Sequence, residues 1–135
     1  MNAFIVDLKD QPGELARVAE AIAQKGINIT AFTGLTAGGS GTVLLTTNDE
    51  EGTRRALAEA GCQVRDVELV AASIDHKPGG LAAAARKLAD AGINIQAALP
   101  MGMSEGKVSI AFATDQPAKA RELIGTAEPA GIGVG

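Results

Sequence analysis

Apolar and polar residues alternate over residues 3–8, with Phe4, Val6 and Leu8 on one face and Ile5 and Asp7 on the other, which predicts a half-buried strand. Over residues 12–25 the period lengthens. Leu15, Val18, Ala19 and Ile22 form one apolar stripe, and Glu14, Arg17, Glu20 and Lys25 face away from it, as in an amphipathic helix. Gly26 stands where such a helix ends on a left-handed residue. A second strand is predicted at 27–36, a hairpin connection at 37–41 (AGGSG) and a β-rich run at 42–47. Asp49 is placed to cap a helix that ends near Ala60, and residues 63–69 read as another strand. The order is β-α-β-β-α-β.

The chain then says the same thing again. PGELARVAEAIAQKGINI at 12–29 returns as PGGLAAAARKLADAGINI at 78–95, with 10 of 18 positions identical, including Pro12, Gly13, Leu15, Gly26, Ile27, Asn28 and Ile29. The offset of 66 reads without a gap back to Phe4, Val6 and Leu8 and forward to Asp49, matched with Asp115. The second copy is expected to hold a strand at 70–74, a helix at 78–91, strands at 93–99 and 107–114 and a helix at 117–124. Its last strand has only Ile132 and Val134 to draw on, in a Gly-rich tail at 128–135 that is a candidate mobile segment. Two domains follow, 1–69 and 70–135, with strand running directly into strand at their junction. The fold class is α+β, two ferredoxin-like βαββαβ units in tandem with antiparallel sheets and helices on one face. Such a unit leaves its other sheet face open, and the other copy is the obvious cover.

Composition narrows the function. A unit of this size buries only about 60% of its unfolded surface, so each copy alone would be marginal. The core is expected to be thin, because only three residues are aromatic, all of them Phe. The formal charge is -4, and no basic stripe exists to meet a phosphate backbone, which argues against nucleic acid. No stretch approaches a membrane span and no secretory leader precedes the first strand, so a soluble cytoplasmic protein is expected. A single cysteine, Cys62, and a single histidine, His76, supply no disulfide, no metal cluster and no Ser-His-Asp set. No cofactor, metal or catalytic residue is expected, and the protein is not read as an enzyme.

The run Asp10-Gln11-Pro12-Gly13-Glu14-Leu15, followed by a helix and by Gly26-Ile27-Asn28-Ile29, resembles the ACT domain, a ligand-sensing module of amino-acid metabolism. The second copy has His76-Lys77-Pro78-Gly79-Gly80-Leu81 and Gly92-Ile93-Asn94-Ile95. The resemblance implies a non-catalytic regulatory domain that binds a small effector, often an amino acid, where two ACT units meet. It implies ligand contacts from Asp10 and Asn28 in the first copy and from His76 and Asn94 in the second, with the backbone of residues 11–15 and 77–81. Exposed sheet edges make a homodimer the expected assembly, and a sensor of this kind is expected to act on a regulated enzyme or other protein partner.

Physical chemistry favours the same loops. A helix N-terminus offers unpaired N–H groups to a carboxylate, Asp10 suits an ammonium, and an Asn side chain both donates and accepts. Plainer readings compete. Asp10 is placed to cap the helix by accepting the Gly13 N–H, Pro12 fits a first helical turn, and Asn28 is placed to tie down a turn. The copies also differ, since His76 replaces Asp10 and Gly80 replaces Glu14, so the first site is expected to be the better one. Pro100 should lie at an edge or bulge, and Met101 and Met103 read as gap-filling core or as an adaptable contact. The competing function is a protein-protein interaction or dimerisation module without a small-molecule ligand.

Overall fold

The computed structural model describes residues 1–125, which form six strands and four helices. The elements are β1 (Asn2–Lys9), α1 (Glu14–Ala23), β2 (Ile29–Ala37), β3 (Ser40–Thr47), α2 (Glu50–Glu59), β4 (Val64–Asp75), α3 (Gly80–Asp90), β5 (Ile95–Ser104), β6 (Lys107–Thr114) and α4 (Pro117–Ile124). Residues 128–135, where the sequence places a short last strand or a tail, lie outside the described residues. Two compact units are present, one of Asn2–Val67 and one that begins at Glu68 and includes Met1. The two strands expected at 63–69 and 70–74 are one strand, β4.

In the first unit the strands run β2-β3-β1, all antiparallel, and the start of β4 follows β1 through a hydrogen bond from the Asp7 N–H to the Gln63 carbonyl at 3.1 Å. Register places Phe4 opposite Leu45 and Val6 opposite Val43. These four pack with Val18 and Ile22 of α1 and Leu57 of α2 into one core, which fixes the helices on a single sheet face. The face turned away from the helices is buried as well, at Ala3, Leu44 and Thr46. Gly38 and Gly39 carry φ of 62° and 85°, so the β2–β3 hairpin turns on two left-handed glycines, whose backbone twist matches that of the strands they join.

The second unit repeats this as β4-β6-β5. Its core is divided into two smaller groups. Val70, Leu88, Ile93 and Ala120 form one, and Ala72, Ile74 and Phe112 the other. The thin core expected from the scarcity of aromatic residues is therefore a property of this unit more than of the first.

The constant 66-residue offset does not hold to the end of the repeat. Phe32 faces Leu45, and its counterpart Ala98 faces Phe112, which is 67 positions beyond Leu45. The register shifts between Pro100 and Gly102, and that bulge absorbs one extra residue. Pro100 thus sits on an edge strand at a bulge, where its missing N–H breaks no ladder. Met101 turns inward and Met103 is 67% exposed, so only one of the two methionines fills core. Asp115 consequently matches Asn48, and the counterpart of Asp49 is Gln116.

This correction separates the two second helices. Asp49 caps α2, its side chain accepting the Gly52 N–H at 3.0 Å. Gln116 makes no such cap to α4 and instead donates from Nε2 to the Gly92 carbonyl at 3.1 Å. Asp49→Ala is expected to lower stability by about 1 kcal/mol, the ordinary worth of an N-cap, read as a fall in the thermal midpoint. An unchanged midpoint would mean that the first turn of α2 is held by something else.

Candidate functional site

The loop between β1 and α1 is built around Gly13. Its φ of 88° and ψ of -4° are left-handed, and this requirement for glycine, more than close approach to a ligand, explains the residue. The helix begins at Glu14, not at Pro12, so Pro12 stands ahead of the helix. No side chain caps it, and the reading of Asp10 as an N-cap is incorrect. Asp10, Gln11, Pro12 and Gly13 are all exposed, and Leu15 is 49% exposed.

Glu14 closes this loop. One carboxylate oxygen accepts the Lys9 N–H at 2.9 Å and the other accepts Arg17 Nε at 3.2 Å. The Lys9 N–H, followed by Arg17, holds the Glu14 carboxyl below the ordinary carboxylate range. Arg17 in turn donates through Nη1 to the Ala60 carbonyl at 3.2 Å and to Cys62 Sγ at 3.4 Å. Cys62 is thus part of the packing beneath the loop.

The second loop, between β4 and α3, has the same backbone and a different closure. Gly79 repeats the left-handed conformation with φ 88°, and the Lys77 N–H donates to the Asp75 carbonyl at 3.0 Å as the Gln11 N–H does to Lys9. Gly80 replaces Glu14. Its N–H donates to the Lys77 carbonyl at 3.0 Å, and a Cβ there would collide with the Asp75 carbonyl. Backbone contact therefore does here what a carboxylate does in the first copy. His76 is tied through its backbone, N–H to the Gly106 carbonyl at 2.9 Å, and its ring lies in the exposed part of the loop. Lys107 first, and then Lys77, lower the pKa of the Asp75 carboxyl. Pro78 is exposed and Leu81 is 55% exposed.

Asn28 and Asn94 are held alike. The Asn28 N–H donates to Asn48 Oδ1 at 3.0 Å, and the Asn48 N–H returns a bond to the Asn28 carbonyl at 3.2 Å. In the second copy the Asn94 N–H donates to Asp115 Oδ1 at 2.9 Å, and the Asp115 N–H returns to the Asn94 carbonyl at 3.2 Å. The turn is thus tied by the backbone of the Asn and the side chain of its partner. Among the described residues the Asn28 and Asn94 side-chain amides make no hydrogen bond, and neither joins the loop at 10–15 or at 76–81. Asn48 and Asp115 were missed in the sequence because the uniform offset paired Asp115 with Asp49.

No group of three or more His, Cys, Asp or Glu residues is placed to hold a metal ion among the described residues. No described helix is long and apolar enough to cross a membrane.

Comparison with known proteins agrees with this geometry. Residues 3–61 match the model of the ACT domain. No curated protein sequence matches the chain. Among solved structures, a protein of Bacteroides thetaiotaomicron is similar with a TM-score of 0.78 at 20% identity, over 90% of this chain and 84% of that one. The regulatory subunit of aspartate kinase from Thermus flavus is similar with a TM-score of 0.61 at 22% identity, over 90% of this chain and 89% of that one. The ligand-free regulatory subunit of aspartate kinase from Thermus thermophilus gives 0.60 at 20% identity, over 90% and 88%. At these identities the likeness is one of fold. Residues 3–61 carry the match to the ACT domain, and the unit that follows repeats the sequence motif and the order of strands and helices of the first.

Proposed function

We propose that this protein is a non-catalytic regulator that binds a small effector of amino-acid type through the loops ahead of α1 and α3 and through Asn28 and Asn94. The observation that carries the reading is the state of the two asparagines. Each turn is already tied by the backbone of the Asn and the side chain of Asn48 or Asp115, and among the described residues the exposed Asn28 and Asn94 amides make no hydrogen bond. An amide with one acceptor and two donors is suited to the two ends of a zwitterion.

The loops support the same reading. Gly13 and Gly79 leave α1 and α3 without a side-chain cap, whereas α2 uses Asp49. A carboxylate at an uncapped N-terminus takes bonds that water otherwise makes. In the second copy the Gly80 N–H is already given to Lys77 and His76 stands in place of Asp10, so the first copy is the better amino-acid site.

The test is calorimetric unfolding of the full chain against the twenty amino acids. A ligand present at ten times its dissociation constant adds about 1.4 kcal/mol, a measurable rise in the midpoint. A selective rise that Asn28→Ala removes and Asn94→Ala weakens is the expected result. A flat panel would exclude free amino acids.

One observation favours a second reading, the interaction or dimerisation module. Phe32 and Leu35 lie on the edge strand β2 and are 54% and 74% exposed, which is much apolar surface to leave on an unpaired edge. A flat panel together with a dimer unaffected by Asn28→Ala would move the assignment there.

A further inference from the structure

The first turn of α1 is joined to the far end of α2 through one side chain. The Arg17 guanidinium donates from Nε to Glu14 Oε2 at 3.2 Å, and from Nη1 to the Ala60 carbonyl at 3.2 Å and to Cys62 Sγ at 3.4 Å. Ala60 is the C-terminal cap of α2, where carbonyls are left without helical donors and a cation is favoured. Gly61 then reverses the chain at φ 75°. The Gly61 N–H donates to the Ala58 carbonyl at 3.0 Å, the Cys62 N–H to Leu57 at 3.0 Å, and the Gln63 carbonyl accepts the Asp7 N–H. Arg17 therefore holds the turn from which β4 starts.

The other end of the same guanidinium is tied to the loop. Glu14 divides its carboxylate between the Lys9 N–H at 2.9 Å and Arg17. Its side chain is only 11% exposed, so water competes little for either oxygen. A guanidinium is a planar fork with fixed N–H directions, and one anchored at both Nε and Nη1 cannot follow one partner without leaving the other. A movement of the loop that draws Glu14 from its place loosens the hold on Ala60 and Cys62.

The second unit has neither half of this connection. Gly80 stands for Glu14 and Ala83 for Arg17, and the loop is closed by the Gly80 N–H on the Lys77 carbonyl. Two loops with the same left-handed glycine thus differ in what they are joined to.

We infer that Arg17 is a positioning residue that couples the shape of the first loop to the turn between α2 and β4, a coupling the second loop lacks. An effector that takes the Glu14 carboxylate or displaces the loop is then registered at Cys62 and at the start of β4, a use of the coupling that rests on the effector reading above. Arg17 itself need not touch the effector.

Residue-resolved amide exchange on the full chain tests the coupling without a ligand. Glu14→Ala is expected to speed exchange of the Gly61 and Cys62 amides by about tenfold, the worth of one hydrogen bond to a charged group, although Glu14 bonds to neither. Any change at Leu45, on the central strand of the same unit, measures global loss of stability, and the rise at the turn is expected to exceed it. Arg17→Lys should give a similar rise, because an ammonium lacks the fork. Coupling is reciprocal. Gly61→Ala, which strains the left-handed turn, should therefore speed the Lys9 amide in the native background and add nothing to it in Arg17→Lys. A rise in Glu14→Ala no larger at Gly61 and Cys62 than at Leu45 would overturn the inference. So would a Gly61→Ala effect at Lys9 that Arg17→Lys preserves. A flat amino-acid panel would end the effector reading alone, since the exchange result needs no ligand.

Discussion

Phe112→Ala is expected to lower stability by about 3–5 kcal/mol, the range for emptying a buried aromatic site. Phe112 is fully buried in a group whose other buried members are Ala72 and Ile74. Around them lie Ala84, Ile95, Val108, Ile110 and Ile124, only partly buried and mostly β-branched. Stiff side chains collapse poorly into a void, so the loss should fall in the upper half of the range. Phe4→Ala provides the comparison in the first unit. Phe4 sits in a single group of eight buried residues and has the Arg54 guanidinium 5.5 Å from its ring centroid. Calorimetry of both variants reads the loss in each unit and whether one transition or two is present. A loss below about 1 kcal/mol for Phe112→Ala would mean that this group is not the core of the second unit.

Gly80→Glu, which copies the first unit's residue into the second, is expected to destabilise by about 3 kcal/mol, the upper end for overpacking. A repeat invites the opposite expectation, because Glu14 is the residue that closes the loop in the other copy. The reason for the loss is the Asp75 carbonyl, which stands where any Cβ at position 80 must go. Backbone cannot swing aside as the end of a long side chain can, so the start of α3 must shift and the bond from the Gly80 N–H to Lys77 is lost with it. Gly80→Ala should show most of the same effect, since the Cβ alone causes it. Thermal unfolding of the two variants decides the matter. Neutral or raised midpoints would show that the loop moves freely and that Glu14 and Gly80 are interchangeable closures.

These two predictions mark where the copies depart from each other, and the departures were the least legible part of the sequence. Gly80 reads in the sequence as a missing Glu14 and nothing more. Its meaning depends on how near β4 passes to α3, which no periodicity carries. The extra residue at the Pro100–Gly102 bulge is similar. A bulge exists only between paired strands, so a comparison of one linear copy with the other passes over it and matches Asp115 with Asp49. The cost was the partner of each asparagine. Asn48 and Asp115 are the residues that free the Asn28 and Asn94 side chains, and they were found only when register was known.

The sequence by itself determined the duplication, the α+β order of elements, the apolar stripe of α1 and the turn glycines, because each depends on local backbone geometry or on a period along one strand or helix. Gly38, Gly39, Gly26 and Gly92 all carry the positive φ that a local reading requires of them. It also located the two loops, since the Pro-Gly step ahead of a helix is a local signature. The start of α1 was beyond it, because Asp10 as a cap and Gly13 as a left-handed lead-in are both permitted by the same residues. The folded loop decided between them through the Lys9 amide, five residues back in the chain, which draws Glu14 across the loop. Tertiary structure likewise decided the division of the second core, since this is a property of what lies beside a residue in space and has no trace in what lies beside it in the chain.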